Sequence, residues 1–396
     1  MKNQTTKLKL ILYATGHFIW RWLKNPFVIG NHLLNAYKLA KEGGLKKLTD
    51  TVFRQYLPKK YLLKTKINLK TPSSSIHGKL KTSMDPEINP IATNNSHEIS
   101  TKIKILLVRS GALGDVLLTT PIIEKLFKKY DGLCSITVAT RYPNIFINNP
   151  YVRKIISIRD LRNLEEAYDF ILDLDSCYEK NRNLHITEAY NFYTFGVNAT
   201  KDNLQPKLFS SDQDKMIVER FIKSLGTPFI ICHNRADPTQ PYRNVPHKQW
   251  EHLIKSFKAR TDLQIIQIGD KHMDIAIDTK NEGFIDARNS FSLQQVKELI
   301  SNAQLFLGTD AGPLHIAATT QTPIVSFFTI AHHNLRMPLR DDRCIFKPIT
   351  PKIDCYGCQS NFSGAEPWVC QRKDFHCTST FDIDEALETC LSICKQ

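Results

Sequence analysis

Two short runs carry the side chains best suited to chemistry. The first is Arg109-Ser110-Gly111-Ala112-Leu113-Gly114-Asp115. It ends on a carboxylate that can take a proton, and Gly111 and Gly114 let the backbone approach a ligand closely. The second is Gly308-Thr309-Asp310-Ala311-Gly312-Pro313-Leu314-His315. Pro313 suits the first turn of a helix, where its missing N–H costs nothing. The free N–H groups of that turn suit an anion such as a diphosphate, and His315 lies within reach of the same ligand. Each run has a plainer reading. Asp115 is also a good helix cap, and the second run is also a capped helix carrying a packed histidine. The first run is not a P-loop, because no Gly-Lys-Ser/Thr follows, and it lacks the full Gly-x-Gly-x-x-Gly spacing.

Both runs need a strand before them and a helix behind them. Ile103 to Val108 is a short apolar run that reads as a buried parallel strand. A helix is expected over 115–130, strands at 135–139 and 170–174, and helices at 183–195 and 212–225. A second series follows from Pro228: strand 229–232, helix 247–259, strand 263–268, helix 272–281, strand 284–286, helix 292–302, strand 304–308, helix 313–320 and strand 323–328. The stretch from Asp382 to Cys394 reads as a last helix. Strands alternating with helices argue for an α/β protein with two doubly wound parallel sheets. In such sheets, ligands sit at the carboxyl ends of the strands, where both runs fall.

Lys104-Ile105-Leu106-Leu107-Val108-Arg109-Ser110-Gly111-Ala112-Leu113-Gly114-Asp115-Val116-Leu117 resembles the opening of a family 9 glycosyltransferase, the heptosyltransferase family. Asp310-Ala311-Gly312-Pro313-Leu314-His315-Ile316-Ala317-Ala318, followed by Thr322-Pro323, is similar to that family's donor-binding signature. The order and separation of the blocks agree, and the resemblance covers about 101–396. It implies a GT-B fold of two Rossmann-like lobes with the active site in the cleft: an acceptor lobe over 101–226 and a donor lobe over 227–396, with a cysteine-containing tail and a C-terminal helix returning to the first lobe. It also implies a metal-independent, inverting transfer, most typically of heptose from ADP-heptose to a lipopolysaccharide core, with no cofactor beyond the nucleotide sugar.

By the same resemblance Asp115 is the general base, with Ser110, Gly111 and Gly114 in its acceptor and phosphate loop. Thr309, Asp310, Ala311, Gly312, Pro313 and His315 form the donor loop. A third block, Arg243-Asn244-Val245-Pro246 leading to Trp250, departs from the family pattern: the aromatic before the proline is absent, and lysine is the commoner basic residue. Arg243 would set a positive charge at the leaving diphosphate; a surface arginine is the other reading. Asp270 would accept from the ribose hydroxyls, with Asp274 as a competitor.

The chain has 396 residues, enough for two domains. Its net charge of +14 is concentrated at one end. Residues 1–70 hold 15 Lys and Arg against 2 Asp and Glu, whereas the rest hold 38 against 37. Within 1–70, apolar residues such as Leu8, Ile11, Leu12, Ile19, Trp22 and Leu23 are mixed with lysines at helix-compatible spacing. This reads as a basic amphipathic extension that meets an anionic membrane surface; helices packed on the body are the alternative. A polar linker occupies 71–100. Neither a transmembrane helix nor a cleaved signal is expected. The family resemblance, with the basic extension, implies a cytoplasmic protein peripheral to the inner membrane. No nucleic acid is expected as a partner. Of 10 cysteines, Cys355, Cys358, Cys370 and Cys377 cluster in the tail, with His376 beside them. They could be ligands of a structural zinc, a disulfide, or free thiols. Two further function classes stay open: transfer of another sugar to a surface glycan or glycoprotein, and a membrane- or nucleic-acid-binding protein with a degenerate transferase body.

Overall fold

The computed structural model describes residues 102–395, apart from 176, 179–182, 198–203, 238–239, 273, 278–282 and 362–368. The basic extension and the linker lie outside the described residues. The first sheet has four parallel strands: β1 (Ile103–Arg109), β2 (Cys134–Thr140), β3 (Lys154–Ser157) and β4 (Phe170–Asp173), in the order β3-β2-β1-β4. The second has six parallel strands: β5 (Phe229–Cys232), β6 (Gln264–Gln267), β7 (Phe284–Asp286), β8 (Phe306–Thr309), β9 (Ile324–Phe327) and β10 (Phe346–Ile349), in the order β10-β9-β8-β5-β6-β7. Central strands are covered on both faces, which is why they read as continuous apolar runs rather than alternations. Ile105, Leu106, Leu107 and Val108 are consecutive and all buried, as are Phe229 to Cys232. The α/β class with two parallel sheets is the expected one.

The helices are α1 (Leu113–Leu117), α2 (Thr120–Lys129), α3 (Ile186–Phe195), α4 (Asp212–Leu225), α5 (His247–Lys258), α6 (Leu293–Ser301), α7 (Gly312–Ala317) and α8 (Ile383–Cys394). The single helix expected over 115–130 is two helices. Pro121, at the second position of α2, has no N–H to donate, and its ring displaces the carbonyl four residues back. The carbonyl freed by Pro121, Leu117 O, accepts from Thr120 Oγ1 (2.8 Å), and Thr119 Oγ1 adds a bond to Val116 O (2.7 Å). The helix expected at 183–195 begins at Ile186, because His185 is its cap: its Nδ1 accepts from the Thr187 N–H.

No helix is found among the described residues of 272–281. Side chains take the backbone groups a helix would pair. The Asp270 N–H donates to Asp274 Oδ2 (2.6 Å), the Ile277 N–H to Gln267 Oε1 (2.9 Å), and Gln267 Nε2 donates to Ile275 O (2.8 Å). The edge strands β3 and β10 were not expected. β10 carries Pro348, which a strand tolerates only at an edge. The C-terminal helix does not return to the first sheet. Ala386, Leu387, Cys390 and Leu391 bury themselves with Trp250, Leu253, Val325 and Phe327, so that α8 packs on α5 and β9. Among the described residues no helix is long and apolar enough to cross a membrane.

Candidate active site

α1 and α7 follow the central strands β1 and β8 and pack against each other. Two glycines allow that approach. A Cβ on Gly114 would lie 2.4 Å from His315 Cδ2, and one on Gly312 would lie 2.9 Å from Leu113 Cδ2. The two runs singled out by sequence therefore form one site.

Asp115 is the third residue of α1, and its oxygens have different surroundings. Oδ2 accepts from the Ala112 N–H at 3.2 Å and pairs with Arg109 Nη2 at 3.1 Å. Oδ1 faces Arg336 Nη1 at 4.0 Å. The capping reading holds for Oδ2, which fixes the side chain, and the side chain as a whole is 24% exposed. Arg109 is buried and also donates through Nη1 to Leu174 O (3.1 Å) and Asp175 Oδ1 (3.3 Å). Ser110 is committed to structure: its N–H and hydroxyl donate to the two oxygens of Asp175 at 2.8 and 2.6 Å. Gly111 lies between the Arg109 and Asp115 side chains.

On the other side, Asp310 is buried and its carboxylate pairs with Arg243 Nη2 at 3.0 Å; the same nitrogen donates to Asp310 O. Thr309 Oγ1 donates to Arg243 O at 3.5 Å. Arg243 is thus neither loose nor remote; Thr309 and Asp310 of the second run hold it. Burial pulls the Asp310 carboxyl upward, but Arg243, Arg336 and His315 outweigh it and hold that carboxyl below its ordinary value. His315 is 5% exposed, and its Nδ1 has no partner among the described residues. Burial drives its imidazolium pKa down to about 4, with Asp310 and Asp115 opposing and Arg336 reinforcing. Near neutral pH it is an uncharged ring packed on Gly114. Ala311 caps α7, and Pro313 sits in its first turn, as expected.

Asp270 and Asp274 lie beyond the end of β6. Asp274 is buried and engaged, with Oδ2 on the Asp270 N–H and 3.6 Å from His233 Nε2. Asp270 is half-buried and uses Oδ1 to accept from the His272 N–H at 2.8 Å. β6 and β8 flank β5, so their ends are roughly 10 Å apart. Of the two carboxylates, Asp270 is the more exposed. In the tail, burial raises the Cys377 thiol to about 12, and Cys358, Cys355 and Cys370 add to the shift. The four thiols therefore share one neighbourhood, but among the described residues no three His, Cys, Asp or Glu groups are arranged to hold a metal.

Residues 178–365 match the profile described as Glycosyltransferase family 9 (heptosyltransferase). The fold is similar to that of a glycosyl transferase family 9 protein from Veillonella parvula (TM-score 0.57, 15% identity, covering 76% of this chain and 99% of that one). It is also similar to the ADP-heptose lps heptosyltransferase II of E. coli (TM-score 0.55, 16% identity, 74% and 99%). Residues 178–365 thus carry the family 9 profile, and the fold around them is that of solved family 9 proteins. A third similar structure is the dodecameric, iron-containing glycosyltransferase TibC from enterotoxigenic E. coli (TM-score 0.55, 15% identity, 74% and 76%), which has also been solved in complex with ADP-D-beta-D-heptose. No curated protein sequence matches the chain. The two parallel sheets are the lobes of the GT-B arrangement found in family 9 heptosyltransferases. The family 9 match begins after Asp115, so the packing of α1 on α7, rather than that match, brings the carboxylate to the second run.

Sequence reasoning gave no role to four residues that fold around Asp115: Arg109, which opens the first run, and Asp175, Tyr178 and Arg336. Arg109 and Asp175 close off the ends of β1 and β4, and only the pairing of those strands makes them neighbours. Tyr178 and Arg336 lie in irregular segments with no motif around them.

Proposed function

We propose that the chain is a family 9 glycosyltransferase that moves a sugar from a nucleotide diphosphate donor with inversion, most typically heptose from ADP-heptose onto a lipopolysaccharide core. The observation that carries the reading is the meeting of Asp115, on one lobe, with the Arg243–Asp310 pair and His315, on the other, through the α1–α7 contact. The acceptor hydroxyl attacks the anomeric carbon while Asp115 Oδ1 takes its proton. The bond from that carbon to the diphosphate oxygen breaks, and the leaving diphosphate keeps the electron pair. Arg243 meets the charge that develops there; a preset donor of this kind is worth about 10²–10³ in turnover. Asp310 and Thr309 position Arg243 rather than the sugar. Asp270 accepts from a ribose hydroxyl. His315, neutral and packed on Gly114, fixes the spacing of the two loops.

Charge neutralisation by arginine supports a metal-independent step. The +13 extension over 1–70 is proposed to bring the enzyme to an anionic bilayer at the cytoplasmic face of the inner membrane. The sugar is the open variable, and a different nucleotide sugar for another surface glycan or glycoprotein keeps the same residues. A panel of ADP-, UDP-, GDP- and dTDP-sugars, assayed for acceptor-dependent nucleotide release, tests it. Release from ADP-heptose with a heptose-deficient lipid acceptor is the expected result. Release from another donor alone would move the enzyme to a different glycan.

A further inference from the structure

One cation at the lobe junction is left unused by the protein's own hydrogen bonds. Arg336 follows the one-turn 3-10 helix His333–Leu335. The backbone of the next residue, Met337, is tied across the lobes. The Thr187 N–H donates to His185 Nδ1 (3.1 Å), so the ring proton is on Nε2, which donates to Met337 O at 2.9 Å. The Arg336 side chain is only 15% exposed. Its guanidinium carbon lies 4.6 Å from the Tyr178 ring centroid, and Nη1 is 4.0 Å from Asp115 Oδ1. Among the described residues the guanidinium donates no hydrogen bond, and Nε is buried without a partner.

The comparison within the chain is Arg340. There Nη1 donates to Thr320 O (3.0 Å) and Thr322 O (2.7 Å), and Nη2 to Ile345 O (2.8 Å), as a structural arginine does. Arg336 has equal means and makes none of these bonds. Burying a cation without hydrogen-bond partners is costly, and the carboxylate of Asp115 at 4.0 Å offsets it only through space. Stacking on Tyr178 occupies the face of the guanidinium and leaves its in-plane edge of N–H donors open. That edge fits an oxyanion presenting two oxygens, for which phosphate is the natural partner.

We propose that Arg336 is a phosphate-binding residue of this site, receiving a substrate oxyanion across the lobe junction between Asp115 and Asp310. The inference rests on the transferase reading above. The phosphate has two sources, the donor diphosphate and a phosphorylated acceptor, and both present the same oxygens. Calorimetry with ADP, UDP, GDP, dTDP and inorganic pyrophosphate, on the full chain and on Arg336→Gln and Arg336→Lys, separates them; thermal melting confirms that each variant folds. The donor source predicts at least tenfold weaker binding of pyrophosphate and of the preferred nucleotide in Arg336→Gln, partial recovery in Arg336→Lys, and unchanged binding of the nucleoside alone. The acceptor source predicts unchanged nucleotide binding but a tenfold higher KM for a phosphorylated acceptor and not for its dephosphorylated form. If both series match wild type in a folded variant, the proposal is wrong and the transferase reading stands. Wild-type protein that binds none of the five probes would instead overturn the transferase reading itself.

Discussion

His315 shows how much of this site is set by burial. A histidine at 5% exposure with a pKa of about 4 is neutral in the folded protein and titrates near 6.5 once unfolded. Between those values the unfolded chain binds more protons, so stability falls as pH drops from about 6.5 to 4. The loss from this one group reaches about 3 kcal/mol. Asp310, held below its ordinary 3.8, gives a separate loss that begins only below that value. His315→Gln is expected to flatten the decline between pH 6.5 and 4 in urea-unfolding midpoints while leaving any decline below pH 3.8. An unchanged slope would mean that the ring is not buried as neutral imidazole. Asp115 and Asp310 were legible as residues because each stands in a short, compositionally unusual run. Their roles were less so. Asp310 holds Arg243, and Ser110 holds Asp175; both facts depend on neighbours about 65 positions away in the chain.

At the scale of elements, the contact of α1 with α7 joins the lobes at the chemistry. Gly114→Ala places a methyl group 2.4 Å from His315 Cδ2, which the buried ring cannot relieve without shifting α7. Overpacking of this kind costs about 1–3 kcal/mol. The expected outcome is a lowered melting temperature together with a larger loss of kcat than of donor binding. Wild-type kcat in a folded Gly114→Ala protein would show that this contact is not needed for turnover. Central strands and most helices could be read from sequence because apolar runs and caps are local signals. Ser211 before α4 and Ser292 before α6 cap through their hydroxyls as their positions suggest. What could not be read was tertiary. Gln267 unwinds the expected helix at 272–281 by taking its backbone partners, and the apolar face of α8 has no mark that says which lobe it covers.

For the whole molecule, two parallel sheets place their strand ends and both loops together, and nearly all the net charge lies in residues 1–70 of the sequence. The extension is expected to carry the protein onto vesicles containing anionic lipid and to release it at high salt, since each basic residue near such a surface contributes about 1 kcal/mol. Co-sedimentation of the full chain and of one lacking residues 1–70 checks this; equal binding by both would assign the membrane contact elsewhere. The fold class, the two lobes and the two loops were visible in the sequence because each rests on patterns within about fifteen residues. Arg336 was not, since no motif surrounds it and only folding brings it to Asp115.

The most direct test of the account is acceptor-dependent nucleotide release by wild type and by Asp115→Asn at matched folding. The asparagine keeps an oxygen for the Ala112 N–H and leaves Arg109 its bonds to Leu174 O and Asp175, so the fold should persist. The account predicts that turnover falls about 10²–10⁴-fold with nucleotide affinity nearly unchanged. Turnover at the wild-type rate would contradict it, because the α1–α7 contact would then bring together a site without its base.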